Sequence, residues 1–271
     1  MTTIYVPDDY TTIQAAVTAA SPGDEIRVKD GSYNEEVSID KDNLHIVADG
    51  SNVVLDGSSI SSPSTAFTVD GYSNIKIEGF TIIFYSTGVY YSDNNNTISQ
   101  CEFNECIYST VFISNSSNNT IYLCDINKYG VFIYNGSNNT ISQCNFTQCN
   151  TEGDSEYASI KLEDTNCNDI TKNRIWYSGN NGIILSNSHN NNLISNQIWS
   201  NTDTDFSLEN SNNNLISRNL IDSDTDKAIY VKSSNHNSIS RNMIRVGSGS
   251  KSIVQSGSTT LSNNTIEELT T

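Results

Sequence analysis

The residues of this sequence best suited to chemistry form a series with a constant interval. Trp176, Trp199, Asp222 and Arg245 each follow the one before by 23 residues. Stacked indole rings can hold sugar rings against their faces, and neighbouring carboxylates can accept hydrogen bonds from hydroxyl groups. The alternative is that the tryptophans shield an edge of the fold and the acidic residues lie in a solvated loop. The predicted substrate-binding residues are Trp176, Tyr177, Trp199, Asp203 and Asp222.

The same region is rich in aspartate and could hold a metal ion, because carboxylate oxygens are the ligands that Ca²⁺ takes in proteins. The stretch DSDTDK resembles the first half of a Ca²⁺ loop. An EF-hand is nevertheless excluded, since Lys227 stands where the loop needs glycine and no bidentate glutamate follows. Calcium is thus the one cofactor that the pattern leaves open. The predicted ligands are Asp203, Asp222, Asp224 and Asp226.

These charged residues could also catalyse a reaction on a polysaccharide. Paired carboxylates would serve a hydrolase. With calcium bound, Arg245 or Lys227 could instead abstract a proton beside the carboxylate of a uronate, as a lyase requires. The sequence has no G-x-S-x-G motif, and its histidines and cysteines show no metal-ligand spacing. The predicted catalytic residues are Asp203, Asp226 and Arg245.

The charge and hydropathy of the chain exclude some partners. Its 271 residues carry a net charge of -17, with 14 Lys and Arg against 31 Asp and Glu. This charge repels nucleic acids and anionic membrane surfaces. No apolar run approaches the roughly 18 residues of a membrane span, and the first residues show no signal peptide. We therefore expect an intracellular protein or a mature domain of a longer secreted or surface protein. Seven N-x-S/T sequons slightly favour export, although the recurrent NNT turns also generate such sequons by chance.

The phrase NNTISQC occurs twice, and variants of it recur to the end of the chain. Most of the intervals between them are 22 or 23 residues, and each repeat holds three short alternating apolar segments without a helical period. This pattern predicts coils that bury their inward residues by stacking on one another, as in a parallel β-helix. Leucine-rich repeats are excluded, because their Leu-x-x-Leu-x-Leu framework is missing. The first apolar residues of the repeats are Ile77, Ile98, Ile121, Ile141, Ile170, Leu193, Ile216, Ile239 and Leu261.

Two polar columns accompany the repeat and predict inward ladders. Stacked asparagines can donate hydrogen bonds to one coil and accept them from the next. In the second column, cysteines replace asparagine in three successive coils, and we expect them to be buried free thiols. The first column is Asn96, Asn119, Asn139, Asn168, Asn191, Asn214 and Asn237, and the second is Cys101, Cys124, Cys144, Asn173, Asn196, Asn219, Asn242 and Asn264.

A short helix is predicted before the stack, in TTIQAAVTAASPG. Thr11 and Gln14 have the spacing of a capping box, and Ile13, Val17 and Ala20 lie on one helical face. A helix here would cover the open end of the first coil. Two segments break the period, GSSISSPST near residue 57 and TQCNTEGDSEYA from residue 147. In a solenoid such insertions emerge as loops on one face, often the binding face.

The opening IYVPDDYTTIQAAVTAASPGDEIRVKDGSYNEEVSI resembles the N-terminal cap of the pectin-lyase-like superfamily of right-handed β-helices. The I-x-x-N-x-I core of the repeats is similar to NosD-type and carbohydrate-binding or sugar-hydrolase repeats, and the cap is similar to that of surface β-helix proteins of methanogenic archaea. The resemblance covers nearly the whole chain. It implies the fold, and it leaves the activity open among lyases, hydrolases, esterases, epimerases and non-catalytic binders.

These observations predict an all-β protein, a single-stranded right-handed parallel β-helix of about ten coils. We expect one domain over residues 1–271, with the N-terminal cap and first coil in 1–36 and the repeat coils in 37–271. The expected function is carbohydrate binding along an exposed face, outside the cell or at its surface. The alternatives are a polysaccharide-degrading enzyme and a structural spacer without a ligand.

Overall fold

A computed structural model describes residues 2–149, 158–225 and 227–269 of the chain. The chain winds into an all-β, right-handed parallel β-solenoid of about eleven coils, which confirms the predicted fold class. Each full coil passes through three parallel sheets in the same order, named here the first, second and third sheet. Every strand pairs in register with the equivalent strand one coil away. Apolar side chains that point inward fill the space between the sheets.

The first sheet has 12 strands, and the strand at its N-terminal end comes before the helix. Its strands are Thr3–Val6, Glu25–Val28, His45–Ala48, Lys76–Glu78, Thr97–Ser99, Thr120–Tyr122, Thr140–Ser142, Asp169–Thr171, Asn192–Ile194, Leu215–Ser217, Asn237–Ser240 and Thr259–Ser262.

The second sheet has 11 strands, most of them three residues long with only the middle side chain pointing inward. Its strands are Gly31–Tyr33, Val53–Asp56, Thr81–Ile83, Glu102–Asn104, Asp125–Asn127, Asn145–Thr147, Arg174–Trp176, Gln197–Trp199, Leu220–Ser223, Met243–Gly247 and Thr265–Leu269.

The third sheet has 10 strands and longer stretches of period-two alternation. Both predicted insertions fall between the second and third sheets. The first forms a short 3₁₀ helix, Gly57–Ser59, and most of the second lies outside the described residues. The strands are Val37–Ile39, Thr65–Val69, Thr87–Tyr91, Ser109–Ser114, Val131–Tyr134, Ala158–Glu163, Asn181–Ser186, Phe206–Glu209, Lys227–Lys232 and Lys251–Gln255.

The N-terminal α-helix, Ile13–Ala19, begins one residue later than the predicted capping box requires. Thr12, and not Thr11, is the N-cap, and its hydroxyl accepts a hydrogen bond from the backbone N–H of Ala15. The carboxylate of Glu35 accepts the first two helical N–H groups, so the side chain of Gln14 is free to bond the backbone of Ser38. Within the described residues, no helix has the length and apolarity to cross a membrane.

The asparagine ladder lies at the bend between the third and first sheets and points inward as predicted. In each NN pair, the first residue takes the left-handed backbone conformation and the second is buried, as with Asn190 at φ 58° and Asn191. The side-chain oxygen of Asn214 accepts hydrogen bonds from both the backbone and the side-chain nitrogen of Asn191. Asn191 accepts the same two bonds from Asn168. The repeated NN motif therefore consists of a turn residue followed by a ladder residue.

The second ladder lies at the bend between the first and second sheets, where cysteine replaces asparagine in three early coils. Cys101, Cys124 and Cys144 are buried and unpaired. The transition between the two residue types is direct, because the backbone N–H of Cys144 donates to the side-chain oxygen of Asn173 over 3.0 Å. Burial raises the pKa of Cys124 far above its ordinary value, which suits a space-filling thiol and not a nucleophile.

We expect Asn191→Leu to lower the free energy of unfolding by about 2–5 kcal/mol, because it leaves two buried donors of Asn168 without an acceptor. The matched control is Asn192→Leu, since the next side chain points outward and is half exposed. Chemical denaturation of both variants measures the difference. Equal stability of the two variants would contradict an inward ladder.

The inner thiols should resist alkylation in the native protein, whereas Cys167 should react. Cys167 is exposed, and Cys101, Cys124 and Cys144 are not. Mass spectrometry after brief treatment with iodoacetamide, with and without denaturant, locates the label on each peptide. Exposed Cys167 shows in the same sample that the reagent is active. Native labelling of the three inner thiols at the rate of Cys167 would show that the stack opens easily.

Candidate functional site

The two tryptophans form a parallel stack on the outer face of the second sheet. Strands Arg174–Trp176 and Gln197–Trp199 pair in register, so that Trp176 lies beside Trp199. The ring centroids are 5.2 Å apart and the planes differ by 9°. Ile175 points inward in the same strand, so alternation places the tryptophan outward, where it is half-buried. The neighbouring Tyr177 occupies the following bend in the left-handed conformation and is exposed.

The column continues past the tryptophans as a chain of ion pairs. Asp222 lies in register with Trp199, and Arg245 lies in register with Asp222. The guanidinium of Arg245 reaches a carboxylate oxygen of Glu267 at 3.1 Å and one of Asp222 at 3.9 Å. These half-exposed pairs add little to stability. They do hold the guanidinium of Arg245 between two carboxylates.

The aspartates predicted to bind calcium are not gathered into a metal site in the described part of the chain. There, no group of three or more His, Cys, Asp or Glu residues is arranged to hold a metal ion. Asp203 and Asp224 are exposed, and Asp224 accepts a hydrogen bond from the Ser200 hydroxyl. Asp226, a predicted catalytic and calcium-binding residue, lies outside the described residues. Lys227, the other candidate base, places its nitrogen 4.8 Å from the centre of the Tyr230 ring.

A buried carboxyl group that the sequence reasoning missed lies close to this region. Asp205 is only 1% exposed, and one of its oxygens accepts a hydrogen bond of 2.7 Å from the Asn201 amide. The other oxygen has no hydrogen-bond partner in the described structure. Burial raises the pKa of Asp205 to about 7, although the polar groups of Ser223 and Asn201 oppose the shift. Because it is buried, Asp205 cannot touch a ligand without a rearrangement.

A second aromatic stack, also missed, lies on the outer face of the third sheet. Tyr90, Phe112 and Phe132 lie in register on successive coils, and the rings of Phe112 and Phe132 are parallel within 12° at 5.2 Å. The nitrogen of Lys161 stands 5.0 Å from the centre of the Phe132 ring and also contacts Glu163 at 2.9 Å. The alternating strands already assign these rings to outward positions, so the repeat alignment contained the signal.

Two shallow concavities on the second sheet meet at Asn145. One lies against Trp176 and is lined mostly by polar residues, which include Glu102 and Asp125. The other lies toward the first sheet and is lined by Lys172 and Arg174, among others. Both form because the short side chains of the Asn145 strand lie beside the long side chains of the next coil. The surface is open and extended, with an aromatic platform at its side.

The fold and this open, aromatic surface define a β-helix whose outer columns are available for binding. The chain belongs to the right handed beta helix region family, whose model matches residues 43–153 and 123–266. No curated protein sequence matches the chain.

Solved structures share the fold over nearly the whole chain. The structure of XylC with xylose superposes with a TM-score of 0.76 at 13% identity, covering 94% of this chain and 70% of the other. The GH136 lacto-N-biosidase from Eubacterium ramulus gives 0.72 at 10% identity, with coverage of 99% and 68%. The alginate lyase from Paenibacillus sp. str. FPU-7 gives 0.63 at 17% identity, with coverage of 98% and 99%. At these identities the likeness shows the fold alone.

Asp205 should make the protein less stable as the pH rises from about 4 to about 7. In this interval the unfolded chain releases the proton, near the ordinary pKa of 3.8, while the folded protein retains it up to about 7. Asp205→Asn should remove this loss and raise the free energy of unfolding at pH 8 by about 2–4 kcal/mol. Denaturation of both proteins at pH 5 and pH 8 measures the difference, with exposed Asp203→Asn as the control. A gain of the same size at both pH values would contradict a buried, protonated Asp205.

Proposed function

We propose that this protein binds carbohydrate along the outer face of the second sheet. The observation that supports the proposal best is the parallel stack of Trp176 and Trp199, which sits outside the core on adjacent coils. A flat aromatic surface can contact the apolar face of a sugar ring and displace water from it. Asn145 and Gln197 lie on the same face and can exchange hydrogen bonds with hydroxyl groups.

The shape of the surface fits a polymer. The coils repeat about every 4.8 Å, so equivalent side chains recur along the axis at that interval. An extended glycan lying along the axis would meet the same kinds of group in successive coils. The surface has no deep cleft among the described residues of the second sheet. Affinity for each sugar unit should therefore be low and should increase with the length of the chain.

The alternative is a polysaccharide-degrading enzyme, and two observations favour it. The carboxylates of Glu102 and Asp125 lie on adjacent coils in register, and both point outward beside the concavity that reaches Trp176. Several structural neighbours are also named for sugars or for enzymes that act on them. Under this alternative, Asp203, Asp226 and Arg245 remain catalytic candidates, with Ca²⁺ as a cofactor if Asp226 completes a site. The remaining alternative is a structural spacer without a ligand.

We also place the protein outside the cell or at its surface, as a module of a larger secreted or surface protein. This proposal rests on the seven sequons and on the glycan-related neighbours, among them a bacteriophage tailspike domain. A polymer too large to enter a cell must be bound outside it. The resemblances to NosD-type repeats and to archaeal surface proteins rest only on short sequence motifs in the cap and the repeats.

Trp199→Ala should abolish binding on a glycan array while leaving the melting temperature within a few degrees, because the indole is half exposed and outside the core. Phe112→Ala is the matched control, since it removes one ring from the equivalent stack on the third sheet. Both variants are compared with the unaltered protein on the same array.

The outcomes separate the alternatives. If only Trp199→Ala loses binding, the binding site is on the second sheet. If only Phe112→Ala loses binding, the site is on the third sheet. Assays for new reducing ends and for the absorbance of unsaturated uronates are run alongside. Turnover by the unaltered protein would show that it is a polysaccharide-degrading enzyme. The absence of both binding and turnover would favour a structural spacer.

A further inference from the structure

A row of positive charge runs along the bend between the first and second sheets in this strongly acidic protein. We call it the cationic edge, and its members are Lys172, Arg174, Arg218 and Arg241. All four side chains are exposed. They account for four of the 14 Lys and Arg residues in a chain that carries 31 Asp and Glu. Such a concentration of cations makes this edge electrostatically different from the rest of the molecule.

The winding of the coils aligns these side chains. Lys172, Arg218 and Arg241 each occupy the left-handed residue of the bend, with φ of 58°, 58° and 59°. The backbone N–H of Lys172 donates to Ile194 one coil further on, and that of Arg218 donates to Ser240, so the bends are stacked in register. Lys172 and Arg241 are three coils apart, a span of about 14 Å. Arg174 lies two residues beyond Lys172 and points outward from the second sheet.

The cations of this edge lack the carboxylate partners that seven of the other ten Lys and Arg residues have. Lys232, Lys128 and Arg245 each bind a carboxylate from an adjacent coil. Among the described residues, no carboxylate forms an ion pair with any member of the cationic edge. Arg218 and Arg241 moreover lie on adjacent coils, where like charges repel each other. An anionic ligand would relieve this repulsion and satisfy donors that the protein itself leaves to water.

Three members of the cationic edge, Lys172, Arg218 and Arg241, adopt a backbone conformation that does not by itself favour a cation. A residue other than glycine, asparagine or aspartate costs roughly 1 kcal/mol in the left-handed region. In other coils the same position of this bend is occupied by Leu123, Gln143 and Ser195, so the conformation does not require a cation. Lysine and arginine therefore gain nothing locally from these positions. At these bend positions a long cationic side chain projects outward from the coil.

The cationic edge is continuous with the proposed sugar platform. Arg174 and Trp176 are alternate residues of one strand, so both lie on the same face. Lys172 and Arg174 line the concavity that meets the tryptophan concavity at Asn145. On the other side of Asn145, Glu102 and Asp125 make the surface negative. The charge of this surface thus changes sign at Asn145, from Glu102 and Asp125 on one side to Lys172 and Arg174 on the other.

We propose that the cationic edge binds the charged groups of an anionic glycan whose rings lie on Trp176 and Trp199. This inference rests on the proposed function and specifies its ligand. The planar guanidinium of Arg174 can form two parallel hydrogen bonds with a carboxylate, as in a uronic acid, or with a sulfate ester. Recognition is direct and requires no bridging Ca²⁺.

The test compares polygalacturonate with the same polymer after reduction of its carboxyl groups, in buffer containing EDTA. Isothermal titration or biolayer interferometry should show that the unaltered protein binds the acidic polymer about tenfold more tightly or better. The preference should weaken as the salt concentration rises. The double variant Lys172→Gln with Arg174→Gln should lose the preference and still bind the reduced polymer.

The control variant carries Lys76→Gln and Lys251→Gln. It loses the same two positive charges from exposed positions on the first and third sheets. Its preference for the acidic polymer should stay unchanged, which separates a local contact from an effect of net charge. Because all four substitutions are at exposed sites, circular dichroism and the melting temperature should match those of the unaltered protein.

Equal affinity of the unaltered protein for the two polymers would overturn the inference while leaving carbohydrate binding intact. So would a double variant that keeps the preference. The single variant Trp199→Ala tests the tryptophan platform separately, and it should lose binding to both polymers. Dextran sulfate forms the third arm, and tighter binding of it than of polygalacturonate would assign the edge to sulfate esters. Failure to bind any of the three polymers would contradict the proposal of an anionic ligand.

Discussion

The structure depends on one requirement, that each buried amide find its partner in the adjacent coil. Asn191 accepts two hydrogen bonds from Asn168 and donates two to Asn214. No single coil can meet this requirement, because all of these partners lie about 23 residues away. A buried donor without an acceptor costs about 1–3 kcal/mol, so an isolated coil would be unstable and the stack must form cooperatively. The ladder therefore fixes the register, and it does so although the interval between its members ranges from 20 to 29 residues.

A fixed register has a consequence for the outer surface. Once the inward residues set the pairing, every outward position is aligned with its equivalents above and below. The Trp176 and Trp199 rings stack because Ile175 and Ile198 pair inside the helix. The same rule produces the Tyr90, Phe112 and Phe132 column on another sheet. Binding surfaces in this architecture are stripes parallel to the axis, and their chemistry can change from coil to coil without disturbing the core.

The sequence predicted most of this arrangement because its period is visible in the apolar residues. It placed Trp176, Trp199, Asp222 and Arg245 in one column and turned the ladder asparagines inward, and both expectations are confirmed. The predictions from the sequence were wrong or incomplete where contacts between distant residues determine the local structure. Glu35, more than 20 residues away, bonds the first helical N–H groups, and the N-cap shifts to Thr12. Asp205 was missed because alternation alone does not reveal that a polar residue in a loop will be buried.

The pattern of ion pairs is the feature that a binding surface and a spacer would explain differently. A spacer needs only stability and solubility, and charges of opposite sign on adjacent coils supply both. The pairs Lys232–Glu209, Lys128–Glu105 and Arg245–Glu267 follow this rule. The cationic edge departs from it, because Arg218 and Arg241 lie on neighbouring coils and Lys172 and Arg174 lie near the half-buried tryptophans. Repulsion of this kind lowers stability a little in the free protein, and a bound anion would offset it. A ligand is therefore the simplest physical reason for the edge to exist.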